Sequence, residues 1–202
     1  MNRLQQSILI GSILGDGWID TPSKGGSRWI IKYDDKYLPY LNWLYLKLRS
    51  FGLCEMKSKS GNYHQHYFST KTSQEIVVWR KLFYPKGKKI IPNSIEKLLI
   101  DPISLAVWYM DDGTLDNRSK NHFNASIATY CFSYVECLLL AETLMKNFKI
   151  KARVHKCTMR GKTYYRLYIK SESMNSFINL ISKHVQPCMA YKINRSYYQQ
   201  LR

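Results

Sequence analysis

An internal repeat constrains this chain more than any other feature. Leu9-Ile10-Gly11-Ser12-Ile13-Leu14-Gly15-Asp16-Gly17 and Leu105-Ala106-Val107-Trp108-Tyr109-Met110-Asp111-Asp112-Gly113 are both apolar runs ending in Asp-Gly. The segments behind them match in order. After the first lie a Lys/Gly/Ser loop and a strand-like segment over 28–33; after the second lie residues 117–121 and a strand-like segment over 123–132. Apolar residues at helical spacing then predict helices over 37–51, closed by Gly52, and over 134–148. Hairpins come next: 56–59 with 64–70 around Ser60-Gly61-Asn62, and 151–158 with 163–170 around Arg160-Gly161-Lys162. A last helix, 73–83 and 173–184, opens in each copy on a serine able to cap it. Self-similarity across the whole length predicts two like units, 1–84 and 102–202, joined by a linker over 85–101. Asp101-Pro102 sets an N-cap before a proline at the first helical position, so the second apolar helix should start there.

Almost wholly apolar helices are buried all round, here against one another where the units meet. Gly11 and Gly15, four residues apart, would admit a second backbone. Asp16 and Asp112 fall at the C-terminal ends of these helices, where the macrodipole disfavours an anion by about 0.3 to 1 kcal/mol. Neither run contains Lys, Arg or His to offset the charge, whereas a divalent cation would. Gly17 and Gly113 read as left-handed terminators. Packed in parallel, the helices bring both carboxylates to one end, where mutual repulsion calls for metal or a proton. Hard oxygen donors of this kind suit Mg²⁺, completed by substrate phosphate oxygens. For a single Asp-Gly, an ordinary exposed turn is the competing reading.

The charge balance names the partner class. With 31 Lys and Arg against 14 Asp and Glu, the net charge is +17, spread along the chain as an extended basic surface. Such a chain folds against its own repulsion, and a polyanion relieves it; nucleic acid is the expected partner, an anionic membrane surface the competing one. Carboxylates that bind metal beside bound nucleic acid point to phosphodiester hydrolysis. At 45% hydrophobic and 14% aromatic residues the composition builds a core and excludes disorder. The longest apolar stretches, 8–14 and 105–110, fall short of the roughly 18 residues that span a bilayer, and no signal-peptide pattern opens the chain. Five cysteines, an odd number without a C-x-x-C pair, argue against a disulfide framework and for a reducing compartment. Cys54, His64 and His66 can be drawn as a zinc cluster, but their spacing matches no standard ligand array.

In these motifs, and in the order of elements behind them, the chain resembles the LAGLIDADG homing endonucleases in their monomeric, two-motif form. The resemblance implies an α+β fold of two pseudo-symmetric αββαββα units whose sheets form a β-saddle over DNA, with the motif helices at its centre. It implies a site-specific double-strand endonuclease using Mg²⁺. The protein would act as a monomer on a duplex target of about 18 to 24 bp, roughly two helical turns. Asp16 and Asp112 map to the acidic residues that bind the catalytic cations, with the carbonyls of Gly15 and Asp111 contributing. Lys89, before Ile90-Ile91-Pro92, and Lys192, in Tyr191-Lys192-Ile193, map to basic residues that support the hydrolytic water or the transition state. Leu14 and Met110 replace the first acidic residue of the namesake motif. Val107 and Asp111 stand where the first copy has Gly11 and Gly15, against a symmetric helix contact. Asp111 beside Asp112 leaves two carboxylates for one role, of which Asp112 aligns with Asp16.

Strand alternation leaves one face of each sheet for the major groove, where base pairs are distinguishable. The outward candidates are Arg28 and Lys32 in the first unit and Arg153, His155, Arg166 and Tyr168 in the second. Lys57, Lys59, Lys86, Lys88, Arg160 and Lys162 read as phosphate contacts that add affinity without sequence choice. Two other functions fit the same scaffold: a maturase that binds group I intron RNA, and a DNA-binding regulator without catalysis. Abundant Lys, Asn, Ile and Tyr point to an A·T-rich source such as an organelle (mitochondrion or chloroplast) or a phage.

Overall fold

A computed structural model describes residues 1–61, 64–116 and 123–194; Asn62 of the first hairpin turn, the loop at 117–121 and the C-terminal 195–202 lie outside the described residues. The first unit runs α1 (Arg3–Leu14), β1 (Trp18–Ile19), β2 (Trp29–Asp34), α2 (Leu38–Leu48), β3 (Lys57–Lys59), β4 (Gln65–Ser69), α3 (Gln74–Phe83). A short α4 (Ile95–Leu98) lies between the units. The second runs α5 (Pro102–Asp112), β5 (Gly113–Asp116), β6 (Asn124–Ala128), α6 (Tyr134–Phe148), β7 (Ala152–Met159), β8 (Lys162–Ile169), α7 (Met174–Ser182), followed by a 3₁₀ turn, Pro187–Lys192. Both units are αββαββα. Their antiparallel sheets have equivalent orders, β1-β2-β4-β3 and β5-β6-β8-β7.

Local chemistry accounts for most of the boundaries. Asn2 with Gln5 and Ser133 with Glu136 form reciprocal capping boxes that start α1 and α6. Ser73 caps α3, accepting the Glu75 N–H at 3.1 Å. Ser173 does not cap α7, contrary to expectation. Its hydroxyl instead accepts the Lys151 N–H at 3.0 Å, and α7 is entered through a 3₁₀ turn at Ser171–Ser173. Asp101 occupies the N-cap position of α5 but makes no cap bond; its carboxylate accepts from Arg3 at 2.7 Å and from the Ser7 hydroxyl at 2.6 Å, tying the two motif helices together at their N-terminal ends. The β7–β8 turn places Arg160 (φ 49°) and Gly161 (φ 72°) in the left-handed region, which matches the twist of a tight hairpin.

One hydrophobic core runs through both units, with α1 and α5 at its centre. The two helices lie parallel and almost in backbone contact. A Cβ on Gly11 would sit 2.3 Å from the Ser104 carbonyl oxygen and 2.8 Å from Val107 Cβ, and one on Gly15 would sit 2.5 Å from Asp111 Cβ. The close contact is therefore asymmetric, as the motif sequences suggest: α1 supplies the missing side chains, and Val107 and Asp111 of α5 fill the space. Gly17 and Gly113 differ from expectation. Neither is among the left-handed glycines, and Gly113 is extended at φ −78°, ψ 147°. A Cβ on Gly17 would meet Ser12 Oγ at 2.0 Å and one on Gly113 the Tyr109 ring at 2.2 Å, so steric room and not handedness accounts for both glycines.

The segment over 85–101 is packed, not loose. Ile91, Ile95 and Leu99 are buried. Asn147 of α6 donates to the carbonyls of Glu96 at 2.7 Å and Leu99 at 2.8 Å. Among the described residues no helix is long and apolar enough to cross a membrane.

Candidate active site

The chain reaches the ends of α1 and α5 at Leu14 and Asp112, and Asp16 lies two residues beyond the first. Asp111 is turned back into the protein. Its Oδ1 accepts the hydroxyls of Tyr33 at 2.5 Å and Tyr40 at 3.1 Å, and its Oδ2 accepts the Asp16 N–H at 3.1 Å. Burial, then the charge of Asp16, holds the Asp111 carboxyl well above the usual carboxylate range. An open pocket of about 310 Å³ is lined by Asp111 and Asp112 together with Tyr37, Thr114, Tyr191 and Lys192; Asp112 is the one whose carboxylate lacks the Tyr33 and Tyr40 hydroxyls that hold Asp111. The Asp112 pKa is pushed up to about 7 by burial and by the charge of Asp16, against the pull of Lys89 and Lys192. Asp16, which solvent reaches, is also raised by desolvation, with Lys192 and Lys89 opposing. Each carboxylate is thus within the field of the other and of both lysines.

Lys89 donates to the carbonyls of Gly15 at 3.0 Å and Gly17 at 3.2 Å. Lys192 donates to the carbonyls of Met110 at 2.5 Å and Asp111 at 3.0 Å. An ammonium therefore sits on the cap and turn carbonyls just past α1, and another on the last carbonyls of α5, where a cation offsets the macrodipole. The motif sequences lack this compensation, and residues far along the chain supply it; a divalent cation is not the only group that offsets the helix ends. Lys89 is half-buried and Lys192 buried. Desolvation lowers both amine pKa values, and the motif carboxylates oppose it. The carbonyls of Gly15 and Asp111 each accept a lysine. Two mutually repelling carboxylates with main-chain oxygens beside them are a hard-oxygen donor set that fits a divalent cation.

The model of the LAGLIDADG DNA endonuclease family matches residues 6–177. The chain belongs to that family. Among its relatives, the cytochrome b mRNA maturase bI2 of Debaryomyces hansenii is 29% identical over 96% of this chain and 74% of its own length. The DNA endonuclease I-ChuI of Chlamydomonas applanata is 26% identical over 96% of both chains. The homing endonuclease I-WcaI, bound to its DNA recognition sequence, has the same fold, with a TM-score of 0.82 and 22% identity over 96% of this chain and 87% of that one.

Beside the LAGLIDADG helices, the strand register sorts the basic candidates. In the first sheet Lys32 lies opposite Tyr67, which lies opposite Lys57, while Lys59 lies opposite Gln65. All share the face turned from Trp29, Ile31 and Phe68 in the core. In the second sheet Arg153 lies opposite Tyr168 and His155 opposite Arg166, again on the face away from Leu167 and Ile127. The row Thr114, Ser126, Tyr168, Arg153 starts at the Asp112 pocket and crosses the sheet. A row of Trp18, Ile30 and Ser69 starts two residues after Asp16. Arg166 is held in place by the Tyr130 hydroxyl and ring, and the His155 and Tyr168 rings lie 4.6 Å apart. Arg28 precedes β2 and is tied to Asp20, through Nε at 2.8 Å and its N–H at 2.6 Å. Lys86, Lys88, Arg160 and Lys162 are exposed. Trp18 and Tyr67 are aromatic residues of this face that the sequence pattern does not single out; only the strand register reveals them.

Proposed function

We propose that this protein is a site-specific double-strand DNA endonuclease that hydrolyses phosphodiesters with Mg²⁺ held by Asp16 and Asp112, acting as a monomer on two non-identical half-sites. The observation that carries this reading is the delivery of the two motif carboxylates to one end of a parallel helix pair, each with a lysine at its back. Bound there, a divalent cation supplies Lewis acidity toward the phosphodiester and charge for the leaving oxygen. The protein's own part is to bind and hold. The open sheet faces carry Lys32, Lys57, Lys59, Arg153, His155, Arg166 and Tyr168 to the duplex, some reading base edges and others phosphates. Asp112 must lose its proton before it binds a cation, and a pKa of about 7 places that loss near neutral pH. Lys89 and Lys192 fix the helix tips and present positive charge beside the scissile phosphate, while Gly15 and Asp111 offer their carbonyls. The relative I-ChuI, of matching length, supports this reading.

The maturase relative favours a second reading, in which the same faces bind intron RNA. An intron-encoded protein of an organelle fits either, and five free cysteines are consistent with a reducing compartment. Incubation of a DNA library with protein and Mg²⁺ separates the two readings. Discrete cuts by the wild type, lost in Asp16→Asn and in Asp112→Asn, are the expected result. Tight binding to structured intron RNA with no cutting, unchanged by those substitutions, would replace the endonuclease with the maturase.

A further inference from the structure

Away from the motif helices, three metal-ligating side chains converge where the central strands of the first sheet, β2 and β4, meet at one end. Asp35 opens the 3₁₀ turn that follows β2, His66 lies in β4 opposite Tyr33 of β2, and His64 immediately precedes β4. His64 Nδ1 lies 2.6 Å and His66 Nε2 2.5 Å from the same oxygen, Asp35 Oδ1, and the two rings meet edge to face at 5.0 Å. One ligand atom from each residue lies within 4.8 Å of the others, and among the described residues this is the only such group of three or more. The motif aspartates do not form one. Cys54, the third member drawn from sequence, is elsewhere: its thiol faces the Thr70 carbonyl at 3.8 Å.

We propose that Asp35, His64 and His66 form a second metal site, specific for a transition-metal dication of the zinc type and separate from the Mg²⁺ site. Two imidazole nitrogens and one carboxylate oxygen form a set that zinc accepts and magnesium does not favour. Ligand bonds of about 2.0 to 2.2 Å in tetrahedral geometry put donor atoms about 3.3 Å apart. His64 Nδ1 and His66 Nε2 lie 2.6 and 2.5 Å from Asp35 Oδ1, so each nitrogen–oxygen separation must lengthen by about 0.7 to 0.8 Å to admit the ion. The two N–H protons now aimed at Asp35 leave with metal binding, or move to the other ring nitrogen, and each vacated nitrogen turns its lone pair onto the ion. Solvent reaches the cluster, with side-chain exposures of 57% for Asp35 and 45% for His64, so a water completes the fourth position; His66, at 17%, is held by the strand. The nearby Lys36 ammonium is drawn off over the Tyr37 ring at 4.7 Å. Such an ion would clip the turn after β2 to the β3–β4 hairpin that carries Lys57 and Lys59, fixing the basic edge of the sheet without touching the reaction.

The test uses the full chain carrying Asp16→Asn and Asp112→Asn, stripped with EDTA, so that the motif carboxylates contribute no binding. Zn²⁺ is titrated by calorimetry, and Co²⁺ by its visible absorption, which reports four-coordinate nitrogen and oxygen ligation. The expected result is one equivalent of tightly bound Zn²⁺ and an intense tetrahedral Co²⁺ band. Both should be weakened at least tenfold by His66→Gln, and separately by His64→Gln, with unchanged circular dichroism. Binding unaltered by either substitution, or no binding of Zn²⁺ at micromolar concentration, would overturn the site. Because no DNA is cut in this experiment, its outcome is independent of the endonuclease reading.

Discussion

Asp111 and Asp112 are neighbours on one pocket, both raised by burial and by Asp16, but held by different partners. Asp111 has three donors on its carboxylate and bridges β2, α2 and the chain end of α1. Asp112 faces the pocket, where burial and Asp16 leave its charge poorly stabilised. A carboxyl whose folded pKa lies above its unfolded value binds more protons when folded, so its ionisation weakens the fold as pH rises from about 4 to about 7. Asp112→Asn removes that burden. We expect it to abolish cleavage and to stabilise the metal-free protein above pH 7 by on the order of 1 kcal/mol after solvent screening, a rise of about 2 to 4 °C in Tm. The gain should vanish near pH 4, and thermal melts at the two pH values check it. Alignment of the repeats separates Asp112 from Asp111 in sequence, but the reason is three-dimensional: Tyr33 and Tyr40 come from a strand and a helix that no local pattern connects to Asp111. Lys89 and Lys192 are legible only through family resemblance, because nothing near either lysine in sequence announces the helix end it binds.

At the scale of elements, the interface of α1 with α5 sets where the carboxylates go. Gly11→Ala forces a methyl to 2.3 Å from the Ser104 carbonyl, so the helices must separate. The expected cost is about 1 to 3 kcal/mol, with a loss of cleavage larger than the loss of folded protein because the tips diverge. Gly61→Ala, which meets nothing within 4 Å, should change neither melting temperature nor rate when the two variants are assayed together. The long elements are readable: α6 spans Tyr134–Phe148, as helical spacing predicts, and β7–β8 follow from alternation around Arg160-Gly161. Strands β1 and β5 are two and four residues long, too short for a period to declare itself. They exist because β2 and β6 offer edges immediately after the motif helices. Ser173 and Asp101 do not act as caps because Lys151 in one case and Arg3 with Ser7 in the other, all remote in sequence, claim their oxygens.

For the whole molecule, a net charge of +17 and two open basic sheet faces make binding strongly dependent on salt. Replacing Lys57 and Lys59 together by Ala should weaken duplex binding about equally for all sequences and reduce the slope of log K against log salt by about 0.9 for each phosphate no longer neutralised, readable by fluorescence anisotropy across a salt series. Arg153→Ala, beside Tyr168 and His155, should instead relax preference at particular base pairs. Both effects presuppose that the two units close around one centre, and the charge of Asp16 reports that directly. Carbon-detected NMR titration of the Asp112 carboxyl in the metal-free protein measures it. The pKa should be about 7 in the wild type and distinctly lower in Asp16→Asn, where the neighbouring charge is gone. An Asp112 pKa that is the same in both proteins would mean that the two carboxylates do not share a site.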